Sequence, residues 1–203
     1  MTRAFALRNR LRRDQRGYTL VELITVMAIL GVVLEALATL FVAAGNAESD
    51  MSSRFTAQQS ARVALDKIRR EVHCASAATP ASTNTSSVTL TVPSYCKTYA
   101  GSASVTWCTR SVATSRYALY RVNGATCTGG VKWVDYLTPT SGAAVCSGAL
   151  CIFNYTPPSA TGCTTGCTLA RLHVDIPVNA RPSRSVDTYE LTDDLVLRNT
   201  VRS

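Results

Sequence analysis

The sequence predicts an α+β chain in which a long N-terminal helix, apolar at first and amphipathic after, carries an antiparallel β-sheet head. Three observations predict it. From Leu20 to Ala44 the chain is apolar apart from Thr25, Thr39, Glu22, Glu35 and small residues. Ala57, Ala61, Ala64, Leu65, Ile68 and Val72 then recur at three- and four-residue steps, the spacing that gathers side chains on one helix face. From Ser87 the period changes to two, as in Val88-Thr89-Leu90-Thr91-Val92, the alternation of a half-buried strand.

Residues 1–17 form a basic leader, with Arg3, Arg8, Arg10, Arg12, Arg13 and Arg16 against Asp14 alone. Residues 18–44 follow as a transmembrane helix, because about 20 apolar residues span a bilayer. The positive flank stays cytoplasmic by the positive-inside rule, which places everything beyond Ala44 outside and makes this a single-pass chain. A secretory signal is the competing reading, since Ala36-Leu37-Ala38 has the small-x-small form of a cleavage site. The apolar run exceeds the roughly 7 to 15 residues such a signal uses.

Residues 45–75 are expected to continue the helix as a stem, with Arg62, Asp66, Arg69 and Arg70 opposite the apolar stripe and a bend at Gly45-Asn46. No proline interrupts it. The segment Ala75 to Ser87, rich in Ala, Ser, Thr and Asn with Pro80, is expected as a loop. Residues 76–203 make the head. Its strands are expected at Val88–Val92, Val105–Cys108, Tyr117–Val122, Val131–Leu137, Leu150–Tyr155, Leu169–Val178 and Tyr189–Arg198. Asn123-Gly124, Thr128-Gly129-Gly130, Ser141-Gly142 and Pro157-Pro158 mark turns. Short links favour hairpins, with one sheet face packed on the stem.

All eight cysteines, Cys74, Cys96, Cys108, Cys127, Cys146, Cys151, Cys163 and Cys167, lie beyond the membrane run. An even number on the oxidising side reads as four disulfides. Zinc is the competing reading from the local spacings Cys146-x4-Cys151 and Cys163-x3-Cys167. Export and the absence of a clean Cys-x2-Cys pair favour disulfides. Cys146/Cys151 and Cys163/Cys167 are plausible local bridges, and the other four stay open among the 105 connectivities that eight cysteines allow.

Glu22 requires an explanation, because an acid inside an apolar span is costly and usually has a partner. The plain explanation is a carboxylate reaching the interface. Cutting the chain after Gly17 supplies another. The freed α-amino group of Tyr18 would lie about one helical turn from Glu22, and in a bundle a neighbour's amino group would neutralise the carboxylate. The run Gly17-Tyr18-Thr19-Leu20-Val21-Glu22-Leu23 behind a basic leader resembles the processing site of type IV pilins and type II secretion pseudopilins. The resemblance implies cleavage between Gly17 and Tyr18 by a membrane prepilin peptidase, N-methylation of Tyr18, and filament assembly through Thr19, Leu20, Val21 and Glu22. It also implies other pilin subunits as partners, and a filament outside the cell or in the periplasm after assembly.

Three features depart from the commonest pattern: Tyr18 stands for Phe, Glu35 is a second acid in the span, and the span lacks proline. The missing proline favours a minor subunit. Ala61 to Glu71, Tyr117-Ala118-Leu119-Tyr120-Arg121 and Leu195 to Asn199 are similar to the layout of W-type minor pilins and J-type minor pseudopilins.

Other functions fit the residues less well. The whole chain is +8, but removing residues 1–17 leaves 15 basic and 12 acidic residues, a surplus too small to indicate nucleic acid by itself. An enzyme is not expected: His73 and His173 belong to no metal or Cys/His signature, and neither a nucleophile elbow nor a phosphate loop occurs. No cofactor is implied. A membrane-anchored module binding DNA or a surface is the alternative, with Arg110, Arg116, Arg121 and Lys132 as a candidate phosphate patch among Trp107, Tyr117, Tyr120 and Trp133. Alternation along strands explains those residues without a ligand. Asp193-Asp194 suggests calcium only weakly, since adjacent strand residues face opposite ways.

Overall fold

The computed structural model describes residues 18–82, 84–97, 101–140, 142–159, 168–181 and 188–199. One helix, α1, runs Leu20–Cys74, and its helical hydrogen bonding continues through Gly45 and Asn46. The chain divides between Ser49 and Asp50 into two units. In the first, the side chains from Tyr18 to Ser49 are exposed, and the helix is long and apolar enough to cross a membrane.

In the second unit the last part of α1 packs on a β-sheet. Ala57, Ala61, Ala64, Leu65, Ile68 and Val72 are all buried, so the predicted stripe is the face that meets the sheet. The small alanines bring the helix backbone close, and Ile68 and Val72 fill the space against Val88, Leu90, Trp107 and Leu119 in one core. Leu172, Val174 and Ile176 supply the same core from the far half of the sheet.

The strands are β1 (Ala77–Thr79), β2 (Ser87–Thr91), β3 (Ser104–Ala113), β4 (Arg116–Asn123), β5 (Val131–Leu137), β6 (Val145–Cys146), β7 (Ala149–Leu150), β8 (Phe153–Thr156), β9 (Arg171–Val178) and β10 (Tyr189–Val196). The main sheet is antiparallel in the order β1-β2-β3-β4-β5-β9-β10, with β8 also pairing β9. β1 to β5 form a meander of successive neighbours. β10 pairs along all of β9, so β8 and β5 share the other edge, β5 through the single pair Leu137↔Val178. The α+β expectation therefore holds, with two corrections. The expected loop from Ala75 to Ser87 contains β1, whose small residues carry little strand signal and are recruited by pairing with Thr89 to Thr91. The expected strand Leu150–Tyr155 is two strands, because Leu150 pairs with Val145 in a separate two-stranded sheet while Phe153 pairs with Val174.

Disulfides join Cys74 to Cys96, Cys108 to Cys127 and Cys146 to Cys151. The first fastens the last turn of α1 to the chain leaving β2. Cross-links closing loops of 22 and 19 residues each contribute about 3 kcal/mol by restricting the unfolded chain. Cys163 and Cys167 lie outside the described residues.

Gly130, just before β5, has φ +84°, and a Cβ there would sit 2.4 Å from the Arg121 carbonyl oxygen of β4. Backbone cannot yield as a side-chain tip does. Gly130→Ala is expected to destabilise the head by about 1–3 kcal/mol, read as a lowered denaturation midpoint, whereas an unchanged midpoint would mean the β4–β5 turn relaxes freely.

Candidate functional site

The N-terminal motif opens α1. Thr19 precedes the first helical residue, and its Oγ1 accepts the Glu22 backbone N–H at 3.3 Å. Its carbonyl accepts the N–H of Leu23 at 3.1 Å. Thr19 is thus the N-cap and Glu22 the third helical residue, the Thr-x-x-Glu arrangement of a capping box. Such a cap satisfies donors that would otherwise be orphaned at a helix start. Tyr18 is 79% exposed, with Leu20 and Val21 similarly open. The Glu22 side chain is exposed too, and the negative carboxylate suits the positive end of the helix dipole. Gly17 lies outside the described residues.

A second cluster joins α1 to the sheet. Glu71 is fully buried. Its Oε2 accepts Trp107 Nε1–H at 2.7 Å, its Oε1 accepts Arg121 Nε–H at 2.8 Å, and Lys67 Nζ stands 3.4 Å away. Trp107 and Arg121 are paired residues across β3 and β4, so their side chains leave the same face of the sheet and converge on the helix. Nζ of Lys67 and Nε of Arg121, whose Nη1 donates instead to Asn123 Oδ1 at 2.7 Å, give the buried carboxylate the compensation it needs. The cluster holds the stem on the sheet.

The four cations considered as a phosphate patch are tied into the head. The Arg110 guanidinium donates to the Gly129 carbonyl at 2.6 Å and lies 3.4 Å from the Tyr120 ring centroid. Arg116 forks onto Asp135 at 3.0 and 2.8 Å, and Lys132 donates to the same carboxylate at 2.7 Å. With Arg121 on Glu71, each has an internal acceptor. A phosphate would have to compete with these pairs.

Residues 12–34 match the prokaryotic N-terminal methylation motif. The match supports a type IV pilin-like family. Comparison with curated proteins and with solved structures gave no match. The motif implies assembly with other pilin subunits and processing by a prepilin peptidase, and its family is structural rather than catalytic. Together with the exposed apolar helix it fits a membrane-anchored protein.

Both histidines and several acids serve the head. His73 Nδ1 lies 3.0 Å from the Val196 carbonyl oxygen and His173 Nδ1 3.1 Å from Asp194. Asp193 holds Arg69 at 2.7 Å. The adjacent aspartates therefore serve different partners. Asp175 on β9 is nearly buried beside Glu190 of β10, under a loop in which Thr140 donates to Glu190 at 3.2 Å. Gly142 permits this closure, since a Cβ there would meet Asp175 Oδ2 at 2.5 Å.

Burial first, then the hydrogen bond and charge of Glu190, push the Asp175 carboxyl up to about 7. At Asp135 burial also acts to raise the value, but the bonds from Arg116 and Lys132 and the Tyr136 N–H outweigh it and hold the carboxyl down at about 2. The signs of their contributions differ. An unfolded Asp ionises near 3.9, so Asp135 contributes stability above about pH 4 that is lost as pH falls toward 2. The raised Asp175 contributes in the opposite sense: the folded state keeps a proton the unfolded state has released, and stability falls as pH rises from about 4 to about 7. Asp175→Asn is expected to abolish that second fall in a series of thermal midpoints against pH. An unchanged fall in the variant would assign it to another group.

Proposed function

We propose that the chain is a minor pilin- or pseudopilin-like subunit of a type IV filament system. It primes or caps a pilus, a DNA-uptake filament or a secretion pseudopilus, and is of the W or J type. Before assembly the N-terminus is cytoplasmic, residues 18–44 lie in the membrane and the head lies outside. Prepilin peptidase cuts after Gly17, Tyr18 is N-methylated, and the Glu22 carboxylate docks against a neighbour's Tyr18 amino group. The carrying observation is the basic leader meeting Gly17-Tyr18 at the start of an exposed apolar helix that has an acid five residues into the processed chain.

A minor role predicts two results in cells with the assembly machine. Sheared filaments contain the protein at a small fraction of the bulk subunit, and deleting it lowers the number of filaments without changing their thickness. Parity with the bulk subunit would contradict the minor role.

A further inference from the structure

Glu35 is an acid for which docking at Glu22 gives no use. It lies 15 residues into the run that begins at Leu20 and nine before Ala44, about 22 and 14 Å from the two ends at the rise of an α-helix. Both distances exceed what a glutamate side chain can bridge, so the carboxylate stays at membrane depth, where an ionisable group calls for a partner. The chain offers none there. No Lys, Arg or His occurs between Leu20 and Ala44. The nearest hydroxyl on its face, Thr39, donates instead to the Ala36 carbonyl at 2.9 Å.

The helix places this acid apart from the other one. Glu22 and Glu35 are separated by about 20 Å along the axis and about 140° around it. Within about two turns and 60° of Glu35 stand Ala28, Gly31, Val32, Ala38, Thr39 and Val42, with Ile24 further along the same face, whereas Val26, Leu30, Val33, Leu37 and Leu40 share the Glu22 side with Ala36. The Glu35 face is open, with nothing within 4 Å of the position a Gly31 Cβ would take. Small residues let helix backbones approach closely in lipid. A neighbour docked on Glu22 therefore leaves the Glu35 face free.

We propose that Glu35 is a second intramembrane docking point, taking the membrane helix of a different subunit that carries a Lys or Arg at mid-membrane depth. Charge complementarity selects that occupant. A second copy of this chain has no cation within its own span, and in register it would oppose carboxylate to carboxylate. The inference rests on the membrane and assembly reading above.

The test uses the full chain in cells with the assembly machine, with a photo-crosslinking residue replacing Val32 at the edge of the small-residue face or Val26 on the opposite face. The expected result is an adduct from position 32, absent from position 26, with a subunit whose span contains Lys or Arg. Glu35→Ala, which makes the helix more apolar and leaves insertion intact, should weaken that adduct about tenfold, the size of an interhelical hydrogen bond in lipid. Exchanging the charges, with Glu35→Lys and an acid in place of the partner's cation, should restore it. An adduct with a second copy, with a helix lacking a cation, or of equal yield in Glu35→Ala overturns the proposal. The N-terminal mass of the same sample separates the two failures: a chain still starting at Met1 removes the assembly reading, and one starting at Tyr18 without the adduct removes only this inference.

Discussion

Glu71→Ala is expected to destabilise the head by about 3–5 kcal/mol, the cost of removing one partner from a buried ion pair. The substitution leaves the Arg121 guanidinium, whose side chain is 12% exposed, and the Trp107 indole N–H facing an emptied site. The helix would then be held by apolar contacts and the Cys74–Cys96 bridge. Lys67→Ala should cost far less, because Lys67 is the more exposed and more distant partner at 3.4 Å. A double-mutant cycle between Glu71 and Arg121, followed by chemical denaturation of the oxidised full chain in detergent, measures the coupling. Additive effects would mean that the two side chains act independently and that helix docking rests on the alanine stripe alone.

Glu22→Gln separates the docking role proposed for the Glu22 carboxylate from the place of this residue in the first turn of α1. Gln is accepted at the third position of a capping box as Glu is, so the Thr19 cap, the helix start and membrane insertion should survive. A neutral amide cannot neutralise a neighbour's amino group, and breaking a buried charge pair is severe. Incorporation into sheared filaments is expected to fall at least tenfold, the equilibrium effect of about 1.4 kcal/mol, with processing at Gly17 intact. Thr19→Ala weakens the cap by about 1 kcal/mol and reads the cost of the cap apart from the Glu22 charge. Equal incorporation of Glu22→Gln and wild type would remove the Glu22 charge from docking.

The stem stripe could be read in the sequence because Ala57 to Val72 repeat at helical spacing and each of the six named positions is buried. The strands β2 to β5, β9 and β10 were legible for a similar reason, as alternation is a local property of a pleated chain. β1 was hidden because Ala77, Ala78 and Thr79 become a strand only through their neighbours in β2. Glu71 was hidden more deeply. It reads as one more polar residue of a charged stem, and its partners arrive from 36 and 50 residues away, so only the β3–β4 register brings them together.

At the N-terminus the Thr19-x-x-Glu22 cap is present in the sequence as a four-residue signature. The cations of the head depend on acceptors the linear sequence does not place beside them. Arg110, Arg116, Arg121 and Lys132 look like a patch when counted along the strands, yet Asp135, Glu71 and the Gly129 carbonyl absorb them. Acceptors distant in sequence decide whether a basic residue faces a ligand.

The most direct test is the mass of the N-terminal peptide of the protein recovered from membranes of cells with an active prepilin peptidase. A peptide beginning at N-methylated Tyr18 is the expected result. A peptide beginning at Met1 would contradict it and leave a plain membrane anchor, and one beginning at Thr39 would make the chain a secreted domain.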